Sequence, residues 1–146
     1  MITAHVTDTV NAPAETVWQI LSDFGGIGKV FPDLIASCVA EGQGLGATRD
    51  IVTTDGDTVF ETMSKYDEAG KSFSYTVDSG TLPLKNYEAT VLITGQDDKT
   101  CRIDWSSEFE TNGLSEEETI EFLSGLYNGA IAGVKIIVAA SSAAAE

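Results

Sequence analysis

The side chains in this sequence that could do chemistry are few, and two of them fall where charge is least expected. In a strand over Ala47–Thr54, alternation puts Arg49 on one face with Ala47, Ile51 and Thr53. In the following strand, Thr58–Tyr66, it puts Glu61 with Val59 and Met63. A guanidinium and a carboxylate on the apolar faces of neighbouring strands are costly unless they satisfy each other or meet water. Tyr87 shares its face with Ala89, Val91 and Ile93 in Lys85–Thr94. The three together suggest a polar clamp inside a cavity. Arg49 would orient an anion or carbonyl, Glu61 would supply a carboxylate, and the Tyr87 hydroxyl would donate or relay a proton. Two plainer readings fit the same residues: an ion pair that sets strand register, or a pairing one residue out that turns both charges outward.

The walls of such a cavity follow from the same alternation. Ser72–Asp78 points Phe73, Tyr75 and Val77 inward, and Thr100–Glu110 points Ile103, Trp105, Ser107 and Phe109 inward. Tyr75, Tyr87 and Trp105 are then buried with polar tips that need partners, a combination commoner in pockets than in solid cores. Ile51, Met63, Phe73, Tyr75, Ala89, Trp105 and Phe109, joined by Tyr127 from a helix, are the expected ligand-binding residues. Other motifs carry less. Glu41-Gly-Gln-Gly-Leu-Gly46 lacks the Lys-Ser/Thr pair of a phosphate loop and joins two strands, so it reads as a mobile hairpin tip beside a pocket mouth. Cys101 reads as an inert core thiol. His5 has no nearby Ser or Cys to suggest a triad and reads as structural. Cys38, Cys101 and one His in no paired-ligand spacing predict neither a metal site nor a cofactor.

These side chains must be positioned by the elements around them. Ile2–Val10 alternates as a strand, and Asn11-Ala-Pro-Ala-Glu15 follows with a capping Asn and a Pro suited to a first helical turn. A short helix starts near Pro13 and ends before Gly25-Gly26. A second small helical turn runs from Ile27 to Asp33, closed by Phe31-Pro32. Six strands follow: Leu34–Glu41, Ala47–Thr54, Thr58–Tyr66, Ser72–Asp78, Lys85–Thr94 and Thr100–Glu110. Gly- and Asp-rich turns between them imply an antiparallel meander. Ser115-Glu-Glu-Glu118 is a capping box that opens one long amphipathic helix to about Ala140, with a fraying tail over Ser141–Glu146. The fold class is α+β: a curved seven-stranded antiparallel sheet wrapped around the C-terminal helix, with two short helices after strand 1.

At 146 residues, the chain is expected to form a single domain over 1–146. Its 23 Asp and Glu against 8 Lys and Arg give a formal charge of -15, which argues against nucleic acid and anionic lipid surfaces as partners. The same acidity also suits simple solubility or a saline habitat. The longest apolar stretch, Ala130–Ala140, is short and interrupted by Lys135, so no membrane insertion is expected. A cytoplasmic protein with reduced thiols is the expectation, as a monomer or a dimer.

The run Ala12-Pro-Ala-Glu-Thr-Val-Trp18, then Leu21-Ser-Asp-Phe24, Phe31-Pro32, Gly46-Ala-Thr-Arg49, Glu61 with Tyr66-Asp67, and Leu82-Pro-Leu-Lys-Asn-Tyr87 resemble, in that order, the SRPBCC superfamily. This is the START-like, polyketide cyclase/dehydrase, helix-grip group that includes pollen allergens related to Bet v 1, and the resemblance covers residues 2 to 140. Its nearest likeness is to the branch of abscisic-acid receptors and lachrymatory factor synthase. That likeness implies a gate at Gly42–Gly46, a latch at Leu82-Pro83-Leu84, and catalytic positions at Arg49, Glu61 and Tyr87. Ala36 stands where the receptors carry their hormone-pairing lysine, which excludes hormone sensing. The expected function is binding of a small hydrophobic or amphipathic molecule (lipid, polyketide or terpenoid-like) between sheet and helix. The alternatives are a cofactor-independent cyclase, dehydratase or isomerase working through Arg49, Glu61 and Tyr87, and a protein–protein module with a vestigial pocket.

Overall fold

The structure, a computed structural model, describes the backbone of residues 1–145 and the side chains of residues 1–141. The chain runs β1 (Ile2–Val10), α1 (Ala14–Ser22), a 3-10 helix (Phe24–Lys29), β2 (Ile35–Glu41), β3 (Thr48–Thr53), β4 (Thr58–Asp67), β5 (Ser72–Gly80), β6 (Leu84–Gly95), β7 (Cys101–Thr111) and α2 (Glu116–Ala145). The strands form one antiparallel sheet in the order β1-β7-β6-β5-β4-β3-β2. It is a helix-grip α+β fold: the meander closes onto β1 at one edge, and α2 lies across the inner face.

Local chemistry explains most of the boundaries. At the start of α2, the Ser115 hydroxyl accepts from the Glu118 N–H at 3.1 Å, and the Glu118 carboxylate accepts from the Ser115 N–H at 3.4 Å. Two of the helix's orphan donors are thereby satisfied. The helix continues past Ala140 through Ala145; Glu146 and the side chains beyond Ser141, part of the tail expected to fray, lie outside the described residues. Over Glu116–Ser141 the helix is long and apolar enough by composition to cross a membrane, which the shorter Ala130–Ala140 stretch had hidden. Its apolar stripe of Leu123, Tyr127, Ala130, Ile131 and Val134 is buried against the sheet. At α1 the expected cap is corrected: Pro13 occupies the N-cap position without any side-chain cap bond, so Asn11 does not cap the helix. The next helical turn also begins earlier than expected, at Phe24, because Asp23 breaks the α-helix and its carbonyl accepts from the Gly26 N–H at 2.9 Å.

Two devices set the width of the space between sheet and helix. One is the glycine series on α2. A Cβ on Gly133 would collide with the backbone carbonyl of Val30, and one on Gly129 would stand 3.1 Å from the Phe31 ring. Glycine therefore lets the segment after the 3-10 helix press directly onto α2. The other is a β-bulge in β6, where Lys85 pairs with Glu110 but Glu88 pairs with Glu108, leaving one extra residue on β6. Asn86 takes the left-handed conformation there, with φ 50°. The bulge reverses the alternation, so Tyr87 and Leu84 both face inward and Lys85 faces solvent.

Candidate functional site

β3 and β4 pair without a register shift, and Arg49 stands directly opposite Glu61. Both side chains are buried, Arg49 to 3% and Glu61 to 7% exposure. Arg49 Nε donates to Glu61 Oε1 at 2.6 Å, and Arg49 Nη1 donates to the Phe24 carbonyl at 3.1 Å. The guanidinium carbon lies 3.8 Å from the Phe24 ring centroid and 4.9 Å from that of Tyr75, close enough for cation–π attraction. The pair is thus inside, mutually satisfied and flanked by aromatic faces. The outward-facing alternative does not hold.

Around it lies a cavity of about 170 Å³. Arg49, Glu61, Ile51, Tyr75, Tyr87, Trp105 and Tyr127 all line it. Met63, Phe73, Ala89 and Phe109, expected alongside them, are not part of this lining and are buried in the core instead. Phe73 packs against Trp18 of α1, with ring centroids 6.1 Å apart, and Phe109 stacks towards Tyr87 at 6.5 Å. Met63 lies towards the far end of the sheet, where its carbonyl accepts from the Gly46 N–H at 2.9 Å, and Ala89 carries only a methyl group. Alternation sorts residues by face, but it does not say how far along a strand the cavity extends.

The remaining walls come from residues outside the expected ligand-binding set, among them Leu82 and Leu84 of the expected latch. Ile27, Phe31, Leu34 and Ile35 contribute from the stretch before and at the start of β2, Leu82 from the β5–β6 connection, Leu84 from the start of β6, and Phe122 and Leu126 from α2. Asp55 and Asp57 of the β3–β4 turn also line it. The available signal was apolar side chains in turns, Leu82 and Leu84 on either side of Pro83 above all. Gly42–Gly46 is not among the lining residues, which corrects the expected gate. In an antiparallel meander, the β2–β3 hairpin sits at the opposite end of the sheet from the β3–β4 and β5–β6 turns. There Gly44 approaches the Tyr66 ring.

The polar groups of the cavity form two hydrogen-bonded sets. Tyr87 and Tyr127 share a hydroxyl–hydroxyl bond, and the Tyr127 hydroxyl is 2.6 Å from Ser107 Oγ. Trp105 Nε1 donates to the Tyr75 hydroxyl at 3.1 Å, and the Trp105 and Tyr127 rings stack 5.5 Å apart. Ser107, sorted inward by alternation, is the anchor that the sequence reading left without a role. Among the described residues, no buried side-chain nitrogen or oxygen lacks a partner. Burial pushes all three phenols up: Tyr127 to about 12, and Tyr75 and Tyr87 well above their ordinary value. The neighbouring negative charge of Glu61 acts in the same direction on each. At neutral pH they are hydrogen-bonding hydroxyls rather than bases.

Among the described residues, no group of three or more His, Cys, Asp or Glu could hold a metal ion. Burial pushes the Cys101 thiol up, away from a reactive thiolate. His5 lies on the surface, its Nε2 3.1 Å from Asp104. The arrangement can enclose a single-ring-sized apolar molecule and offer it a neutralised ion pair and several hydroxyls.

A family model described as polyketide cyclase/dehydrase and lipid transport matches residues 1–136. Solved structures share the fold. The protein XoxI from Bacillus cereus is 23% identical with a TM-score of 0.83, over 94% of this chain and 95% of its own. A protein from Nitrosospira multiformis is 25% identical with a TM-score of 0.76, over 92% and 94%. Norcoclaurine synthase from Thalictrum flavum, solved in complex with dopamine and hydroxybenzaldehyde, is 18% identical with a TM-score of 0.76, over 93% and 85%.

Proposed function

The chain belongs to the polyketide cyclase/dehydrase and lipid transport family, within the SRPBCC superfamily, and from that footing we propose that it binds a small, mainly apolar molecule in the cavity between sheet and α2. Membership supports a ligand-binding or cyclase role. The observation that carries the binding reading is the composition of the cavity. Its walls are aliphatic and aromatic, its few buried polar groups converge, and its two buried charges, Arg49 and Glu61, are paired with each other. Such a space gains free energy from desolvating an apolar guest without leaving a charge exposed to it. A volume of about 170 Å³ is close to that of cavities known to accept benzene, so single-ring compounds are the natural probes.

The direct test is saturation-transfer NMR with butylbenzene on the wild-type protein and on Leu126→Trp, which fills the cavity from α2. Transfer to butylbenzene in the wild type and its loss in a folded Leu126→Trp variant are expected. Equal signals from the two proteins would place the guest elsewhere and overturn the reading.

The convergence of Arg49, Glu61 and Tyr87 on one cavity favours a second reading, a cofactor-independent cyclase, dehydratase or isomerase. Glu61 would move a proton while Arg49 and the hydroxyls stabilise developing negative charge on a carbonyl oxygen. Under that reading, Glu61→Gln abolishes turnover with guest affinity nearly unchanged.

A further inference from the structure

Resting on the cavity reading above, we infer that Tyr75 is a fixed, uncharged hydrogen-bond donor of the site, and that its guest carries a neutral acceptor oxygen of the carbonyl class. The inference comes from counting hydrogens. An indole N–H can only donate, so the contact between Trp105 and Tyr75 makes the Tyr75 oxygen the acceptor. The phenolic hydrogen of Tyr75 then has no acceptor among the described residues, although the side chain is buried and lines the cavity.

The other candidate donors differ from it. Tyr127 lies between Tyr87 and Ser107 and donates its hydrogen to the Ser107 hydroxyl oxygen. Tyr87 must then donate to Tyr127 and offers a guest only lone pairs. Arg49 commits Nε to Glu61 and one Nη1 hydrogen to the Phe24 carbonyl, which leaves three charged N–H groups of the guanidinium without an acceptor among the described residues. Among the uncharged donors of the cavity, Tyr75 keeps its hydrogen free of any acceptor among the described residues, and its raised pKa keeps that hydrogen in place. Trp105 acts as a positioning residue. A carboxylate guest would also accept from Tyr75, but it would bring a third, unpaired charge into an apolar space where Arg49 and Glu61 already neutralise each other. A ketone, aldehyde or ester would not.

Benzylacetone and butylbenzene are of similar size and differ chiefly in the ketone. Each is titrated into wild type, Tyr75→Phe and Tyr87→Phe by NMR, and the carbonyl stretch of bound benzylacetone is read by infrared spectroscopy. Tyr75→Phe is expected to weaken benzylacetone roughly five- to tenfold, the worth of one neutral hydrogen bond, with butylbenzene unchanged. The bound carbonyl stretch should rise in Tyr75→Phe and stay low in Tyr87→Phe, a distinction that a merely structural role for Tyr75 would not produce. If Tyr75→Phe keeps both the affinity and the low frequency, another group is the donor; the inference then fails while the cavity reading stands. If the wild type binds neither compound, the cavity reading fails and takes the inference with it.

Discussion

A guanidinium and a carboxylate held 2.6 Å apart inside an apolar layer are expensive to bury and more expensive to separate. Removing one partner leaves the other charged and poorly solvated, so Glu61→Gln should lower the unfolding free energy by about 3 kcal/mol. Arg49→Met combined with Glu61→Met should recover most of that loss, since two apolar side chains replace two charges. Urea denaturation of the two variants measures both changes, and a single variant with the wild-type midpoint would show that the pair contributes nothing to stability. Legibility in the sequence varies at this scale for a physical reason. Arg49 and Glu61 can be read from alternation because β3 and β4 pair without a bulge where the two residues meet. Leu84 cannot, because the bulge at the left-handed Asn86 reverses the alternation between Leu84 and the rest of β6. The free hydrogen of Tyr75 is legible only once its neighbour Trp105 is known to donate.

Among the elements, α2 does two jobs with one set of glycines. Gly133 is there because the Val30 carbonyl leaves no space for a side chain, whereas a Cβ on Gly125 would meet nothing within 4 Å. Gly133→Ala should therefore destabilise by about 1–3 kcal/mol through overpacking. Gly125→Ala should stabilise by about 1 kcal/mol through helix propensity. Opposite signs in thermal or urea unfolding are the expected outcome, and matching signs would mean that the helix does not rest on Val30. The order and type of the elements follow from turn chemistry and periodicity, and the Ser115–Glu118 box is visible as it stands. The location of the cavity mouth is not. The glycine-rich hairpin attracts attention by composition, yet a meander alternates its turns between two ends, and the cavity opens only among those of one end. That choice depends on where α2 crosses the sheet, which depends in turn on Gly129 and Gly133 meeting Phe31 and Val30.

For the molecule as a whole, pH acts through the same interior. Burial pushes the Tyr127 phenol from an ordinary value of 10 up to about 12, and pushes Tyr75 and Tyr87 well above 10. Their contribution to stability is complete below pH 10. Above it, the unfolded chain releases phenolic protons that the folded chain retains, so stability falls as pH rises towards the folded values. Urea midpoints should decline from pH 10 upward, and Tyr87→Phe should flatten the decline. A midpoint independent of pH in that range would mean that the phenols are wet. The rim of the cavity has a different consequence. Asp55 and Asp57, Leu82, and Phe31 and Leu34 come from three separate connections outside the sheet's ladder, while the polar floor is anchored on adjacent strands. The two parts can therefore vary independently: exchanging a connection changes what is admitted without disturbing the chemistry beneath. The scaffold is open to retuning, in evolution or by design, one short segment at a time.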